Sequence, residues 1–262
     1  MKHTFNVVLI LILLFVFAQL IGLAVINKYF VQELPYDIQK PEFEEQTSFI
    51  PIFLIVIFGT ILVLILIYFR AERIWKLWFF LSVIFTLLIA FSAFINQVLA
   101  LLFAVVLALI KVYKPNVIVH NLTEVFIYGG LAAIFVPVLS VLSISILLIL
   151  ISIYDMIAVW KTKHMIKLAK FQSKLKVFAG LIIPYGKNKT AILGGGDIGF
   201  PLLFSGTILK TYGLIDALIT VVFTSLALLT LLILAEKKKY YPAMPFISIG
   251  CFVGLLIINF IM

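Results

Sequence analysis

Long apolar runs alternate with short polar breaks along almost the whole chain. A helix needs about 20 mainly apolar residues to cross the hydrocarbon of a bilayer. It satisfies its own backbone polar groups while doing so. Nine runs are read as transmembrane helices, at roughly 5–27, 48–69, 74–94, 97–113, 122–137, 139–160, 190–211, 214–235 and 242–261. The predicted fold class is an all-α polytopic membrane protein, with one nine-helix membrane domain over 1–262.

The breaks carry the expected punctuation. The segment 28–48 is acidic, with Glu33, Asp37, Glu42, Glu44 and Glu45, and Pro35 and Pro41 make it a loop. Arg70-Ala71-Glu72-Arg73 ends the second run, and Trp75 and Trp78 open the third at the interface. Lys114-Pro115-Asn116 ends the fourth, and Glu236-Lys237-Lys238-Lys239 ends the eighth. The first run is longer than the apolar core of a signal peptide and shows no small-x-small cleavage site, so it is read as a retained span. Gly250 and Gly254 in the ninth run have the spacing of close helix packing.

Composition agrees with the pattern: 65% of the 262 residues are hydrophobic and only 12% are charged. The net charge of +9 does not point to nucleic acid, because the basic residues sit at the ends of the runs. With nine spans, only three of the 20 Lys and Arg (Lys28, Lys40 and Lys210) fall on one side. That asymmetry predicts a cytoplasmic N-terminus and an outside C-terminus. The basic loop 161–189 falls on the cytoplasmic side. Its Lys163, Lys167, Lys170 and Lys174 recur at helical spacing opposite Met165, Leu168 and Leu175. This fits either an amphipathic helix on an anionic membrane surface or a solvated basic linker. Cys251 reads as a packing residue, and His3, His120 and His164 have no metal-ligand spacing, so no metal or cofactor is expected. No coiled coil or soluble interface is visible, which leaves the oligomeric state open.

Of the 11 acidic residues, nine read as loop or span-end groups, Glu124 and Asp216 among them. Asp155 and Asp197 lie well inside apolar runs. An ionisable residue in hydrocarbon is costly, and by default marks function. At helical rise, both lie roughly 8–10 Å below the cytoplasmic surface, on neighbouring antiparallel spans. Two carboxylates that meet there cannot both ionise, and would share a proton. One would then activate water while the other polarises a carbonyl, as in aspartic proteases. Two other readings stand beside this one. The pair could line an ion or proton pathway, or each Asp could be neutral and merely hydrogen-bonded to a neighbouring helix.

Tyr154-Asp155 in the sixth run and Gly194-Gly195-Gly196-Asp197 in the seventh resemble the YD and GxGD motifs of the presenilin and signal-peptide-peptidase family of intramembrane aspartyl proteases. Pro242-Ala243-Met244-Pro245 stands where that family's Pro-Ala-Leu element is expected, with Met replacing Leu. The short chain looks most like the compact archaeal homologues. The resemblance implies that Asp155 and Asp197 are the catalytic pair. It implies that Gly194, Gly195, Gly196, Pro242, Ala243 and Met244 line the active site, and that Tyr154 packs beside Asp155; Tyr154 reads equally well as an interface aromatic. It also implies a multi-pass protein of a prokaryotic plasma membrane. The substrates would be transmembrane helices of other proteins, entering laterally near the second and sixth spans with their N-termini outside. Prepilin and preflagellin peptidases share GxGD but not the span order or the ninth-span element.

A substrate helix hides its carbonyls in its own hydrogen bonds, and an added strand could replace them. The apolar stretch Leu175–Ile183, before Pro184, is the candidate strand.

Overall fold

The computed structural model describes residues 4–162, 165, 168, 171–172, 175, 177–186, 189–236 and 240–261. Among these, nine helices of sixteen or more residues dominate. They are α1 (Phe5–Lys28), α2 (Phe49–Tyr68), α3 (Glu72–Ser92), α4 (Gln97–Tyr113), α5 (Val117–Phe135), α6 (Val141–Met156), α7 (Gly196–Thr211), α8 (Leu214–Leu234) and α9 (Met244–Ile261). Among the described residues six segments are long and apolar enough to cross a membrane, and α4 and the stretch Met244–Phe260 are shorter apolar helices.

Local chemistry sets the helix starts. Asn96 Oδ1 accepts the Val98 N–H at 2.7 Å, Asn116 Oδ1 that of Ile118 at 2.8 Å, and Ser140 Oγ that of Ser143 at 3.1 Å. Each satisfies one of the orphan donors at a helix N-terminus. Pro137 turns the chain after α5, through a 3-10 turn at Val136–Val138. The Asn116 cap corrects the fifth predicted span: the helix begins at Val117, not near 122, so Glu124 lies two turns inside it.

One core joins α1, α5, α6, α7, α8 and α9 with the strands described below. Without a hydrophobic driving force in lipid, helices pack through small residues. A Cβ at Gly22 of α1 would meet Leu202 Cδ2 at 2.3 Å, and one at Gly130 of α5 would meet the Thr86 carbonyl oxygen at 2.0 Å. Gly250 and Gly254 play the same part between α9 and α8: their Cβ atoms would lie 2.7 Å from Ala227 Cβ and 2.9 Å from Thr220 Cα. In contrast, α2 buries only Ile52 and Val63 along its length. Its N-terminal end is tied to α6 by the Ser48–Ser143 hydroxyl pair at 2.7 Å.

Two predictions between α6 and α7 need correction. The run at 190–211 is not one helix. Residues Lys189–Gly194 form strand β2, antiparallel to β1 (Gly180–Tyr185), and the helix starts only at Gly196. In β2, Ala191 and Leu193 are buried while Thr190 and Ile192 are exposed. This period of two belongs to a strand, and a short apolar run does not display it clearly. The candidate strand 175–183 is likewise shifted, since Leu175 is helical and β1 runs on through Pro184. Pro184 pairs with Thr190, at the same parity as Gly180 and Ile182. The amides at those positions point away from β2, so the missing N–H costs no ladder bond.

In the basic loop, Lys163, Lys167, Lys170 and Lys174 lie outside the described residues. Met165, Leu168, Phe171, Gln172 and Leu175 are helical. Leu168, Phe171 and Leu175 pack onto a second core made by α3 and α4, with Phe171 6.4 Å from the Trp75 ring. The apolar face read as membrane-surface-seeking is therefore covered by protein.

Candidate active site

Asp155 sits on the last turn of α6, just before the helix widens into a π turn at Ile157–Lys161, where Thr162 N–H donates to the Ile157 carbonyl. Such turns break the regular ladder and are frequent at functional sites. One turn earlier, Ser152 Oγ lies 2.9 Å from Ser248 Oγ of α9, which fixes the register of the two helices. That register brings the N-terminus of α9 to Asp155. Met244 N–H donates to Asp155 Oδ2 at 3.2 Å. The first N–H groups of a helix have no internal partner, and the helix dipole favours an anion there. This explains the Pro242-Ala243-Met244-Pro245 sequence in physical terms. Met244 is the first residue of α9, and Pro245 follows in the first turn, where a missing N–H costs nothing. Pro242 and Met244 are buried and Ala243 is half-buried.

Asp197 sits in the first turn of α7, directly after β2. A Cβ at Gly194 would lie 3.2 Å from Asp197 Oδ2. Gly195 is tighter. Its N–H donates to the Ala179 carbonyl at 3.1 Å, and a Cβ there would meet Tyr128 Oη at 2.8 Å and Cε1 at 3.2 Å. Gly196 differs, because a Cβ there would meet Phe200 at an ordinary 3.6 Å. Pro201, inside α7, removes the N–H that would otherwise bond the Asp197 carbonyl.

Asp155 and Asp197 are both half-buried, and Asp197 lies within the electrostatic field of Asp155. Asp155 is thus held by a backbone amide of α9, while Asp197, 42 positions later in sequence, lies against the glycine turn between β2 and α7. Tyr154 is half-buried beside Asp155.

The sequence reading missed the buried polar groups that support this site. Glu124, read as a span-edge group, is 1% exposed and pairs with Lys111, 2% exposed, at 2.7 Å. Tyr128 Oη donates to the same carboxylate, as does Gly180 N–H at 2.8 Å. His120, Thr123, Glu124 and Tyr128 follow one another at helical spacing on α5, and that pattern was the available signal. Gln19 was also overlooked inside α1; it donates to the Ile198 carbonyl at 2.9 Å, next to Asp197.

No curated protein matches the chain. Two solved structures, both described as a presenilin family intramembrane aspartate protease, share its fold. In one crystal form the TM-score is 0.72 at 20% identity, covering 97% of this chain and 99% of the other. In a second form the TM-score is 0.67 at 19% identity, covering 96% and 97%. The family described as signal-peptide peptidase, presenilin aspartyl protease matches residues 12–262. On that match, the chain belongs to the signal-peptide peptidase and presenilin family of intramembrane aspartyl proteases.

Proposed function

We propose that the protein hydrolyses peptide bonds within transmembrane helices of other membrane proteins, with Asp155 and Asp197 as the catalytic pair. The observation that carries this is that Asp155, held by the α9 N-terminus, and Asp197, in the first turn of α7, lie within electrostatic reach of one another. One carboxylate, ionised, takes a proton from water as the oxygen attacks the scissile carbonyl carbon. The other, protonated, hydrogen-bonds to the carbonyl oxygen as it becomes an oxyanion. The tetrahedral diol then collapses, the C–N bond breaks, and the leaving nitrogen takes a proton from the pair. Every proton in this cycle is held by water or the two acids.

Substrate presentation follows from the hairpin. Both edges of β1 are in use: Gly180 and Ile182 bond to Glu124 and Asn121 of α5, and the alternate residues face β2. This redirects the pairing expected at 175–183. Among the described residues the free edge belongs to β2, where Thr190 and Ile192 turn their amides outward, and β2 leads within three residues to Asp197. An unwound substrate added to that edge exchanges its lost helical hydrogen bonds for strand bonds beside the carboxylates.

We further propose nine membrane crossings in one domain, with the N-terminus and the basic loop on the cytoplasmic side. The lysine and arginine asymmetry supports this orientation. Substrates then have their N-termini outside. The test is reconstitution of the purified protein in liposomes with a labelled transmembrane peptide. Mass spectrometry should find products cut within the hydrocarbon span, and a diol that mimics the tetrahedral intermediate should block them. Ion flux through the liposomes with no peptide products would overturn the reading.

A further inference from the structure

The densest buried polar chemistry outside the carboxylate pair lies where α4 meets α5, and it reaches the hairpin. Lys111 Nζ donates to Glu124 Oε1 at 2.7 Å and Thr123 Oγ1 at 3.0 Å, and lies 3.2 Å from His120 Nδ1 and 3.3 Å from the His120 carbonyl. His120 Nε2 is 2.8 Å from the Gly180 carbonyl. A carbonyl only accepts, so Nε2 carries the proton and Nδ1 is free to accept from Lys111. The other carboxylate oxygen of Glu124 takes two donors, Gly180 N–H at 2.8 Å and Tyr128 Oη.

These bonds converge on the polypeptide that carries Asp197. Gly180 is the first residue of β1 and pairs with Gly194, the last of β2. Its neighbour Ala179 accepts the Gly195 N–H, and Gly195 packs against the Tyr128 ring. Tyr128 is itself within electrostatic reach of Asp197. One carboxylate therefore holds the root of the hairpin and the ring on which the Asp197 turn rests.

We propose that Glu124 is a positioning residue for the reaction at Asp155 and Asp197: it sets the register of the β1–β2 hairpin and of the glycine turn, and Lys111 is the counter-charge that lets a carboxylate reside there. The inference rests on the protease reading given above. A carboxylate is required because donors arrive from three directions, and its two oxygens accept all of them. An amide of the same shape accepts at one oxygen only. If the hairpin slides, the β2 edge and Asp197 move together, so the bond presented for cleavage changes along with the rate.

A structural role alone would tie activity to stability, and the test separates the two. Wild-type protein and the Asp155→Asn and Asp197→Asn variants are first compared, which decides the protease reading independently. Glu124→Gln, Lys111→Met with Glu124→Gln, and Tyr128→Phe are then assayed in liposomes for melting temperature, kcat, KM and cleavage position. Glu124→Gln strands a buried ammonium and is expected to lower stability; the double variant removes both charges and restores it. Its kcat is nevertheless expected to stay about tenfold or more below wild type, with cleavage spread over neighbouring bonds. Tyr128→Phe keeps the ion pair and loses one hydrogen bond to it, so a modest drop in melting temperature is expected together with the same broadening of cleavage. If the double variant or Tyr128→Phe cuts at the wild-type rate and position, or if kcat simply follows melting temperature across the series, the positioning role is wrong.

Discussion

Met244 N–H reaches Asp155 Oδ2 at 3.2 Å, across 89 positions of sequence. The bond is made by backbone, so what the position requires is a helix N-terminus carrying a free N–H, with an apolar side chain to fill the core. Met244 is 3% exposed and packs in the main cluster. Met244→Leu conserves volume and should keep cleavage within about twofold of wild type. Met244→Pro fits the first helical position but deletes the donor. Losing a hydrogen bond to a charged group is worth about 1.5–3 kcal/mol, or about 10–160-fold in rate. Steady-state kinetics on the two variants checks this difference.

The glycines beside Asp197 are not equivalent. Gly195→Ala drives a methyl to within 2.8 Å of the Tyr128 hydroxyl and should displace the turn. Overpacking of this kind costs about 1–3 kcal/mol, so a lower melting temperature and a loss of cleavage are expected together. Gly196→Ala meets only Phe200 at 3.6 Å and should leave the melting temperature within error. Equal destabilisation by the two substitutions would contradict the assigned packing.

The free edge of β2 can be probed with proline. The Ile192 amide points away from β1, so Ile192→Pro removes an edge donor without touching the ladder. The expected outcome is a folded protein that still binds a small diol inhibitor but cleaves a helical substrate at least about tenfold more slowly, for want of one strand bond and its neighbours. Leu193→Pro, on the opposite parity, should instead break the ladder and lower stability. Unimpaired cleavage in Ile192→Pro would remove the edge-pairing step from the mechanism.

The readable parts of the sequence were those with a long period. Apolar runs of helix length between charged breaks located most helices, because lipid leaves the backbone no other way to satisfy itself. Asp155 and Asp197 stood out for the same reason. The hairpin was obscure because Lys189–Gly194 and α7 form one apolar stretch, and six residues of period two are hidden beside sixteen of helix. Glu124 was misjudged by a boundary error. Placing the start of the helix five residues late put a buried carboxylate at the membrane edge, and the distant partners Lys111 and Gly180 leave no mark near it in sequence. The distinction between Gly195 and Gly196 depends on Tyr128, 67 residues away, and only the packing reveals it.

The central claim is that Asp155 and Asp197 act as one catalytic pair. Asp155→Asn and Asp197→Asn, each purified, shown by melting temperature to be folded, and reconstituted with the labelled transmembrane peptide, test it most directly. Product formation should fall to background in both, since neither amide can take a proton from water or pass one to the leaving nitrogen. Cleavage at the wild-type rate in either variant would contradict the account.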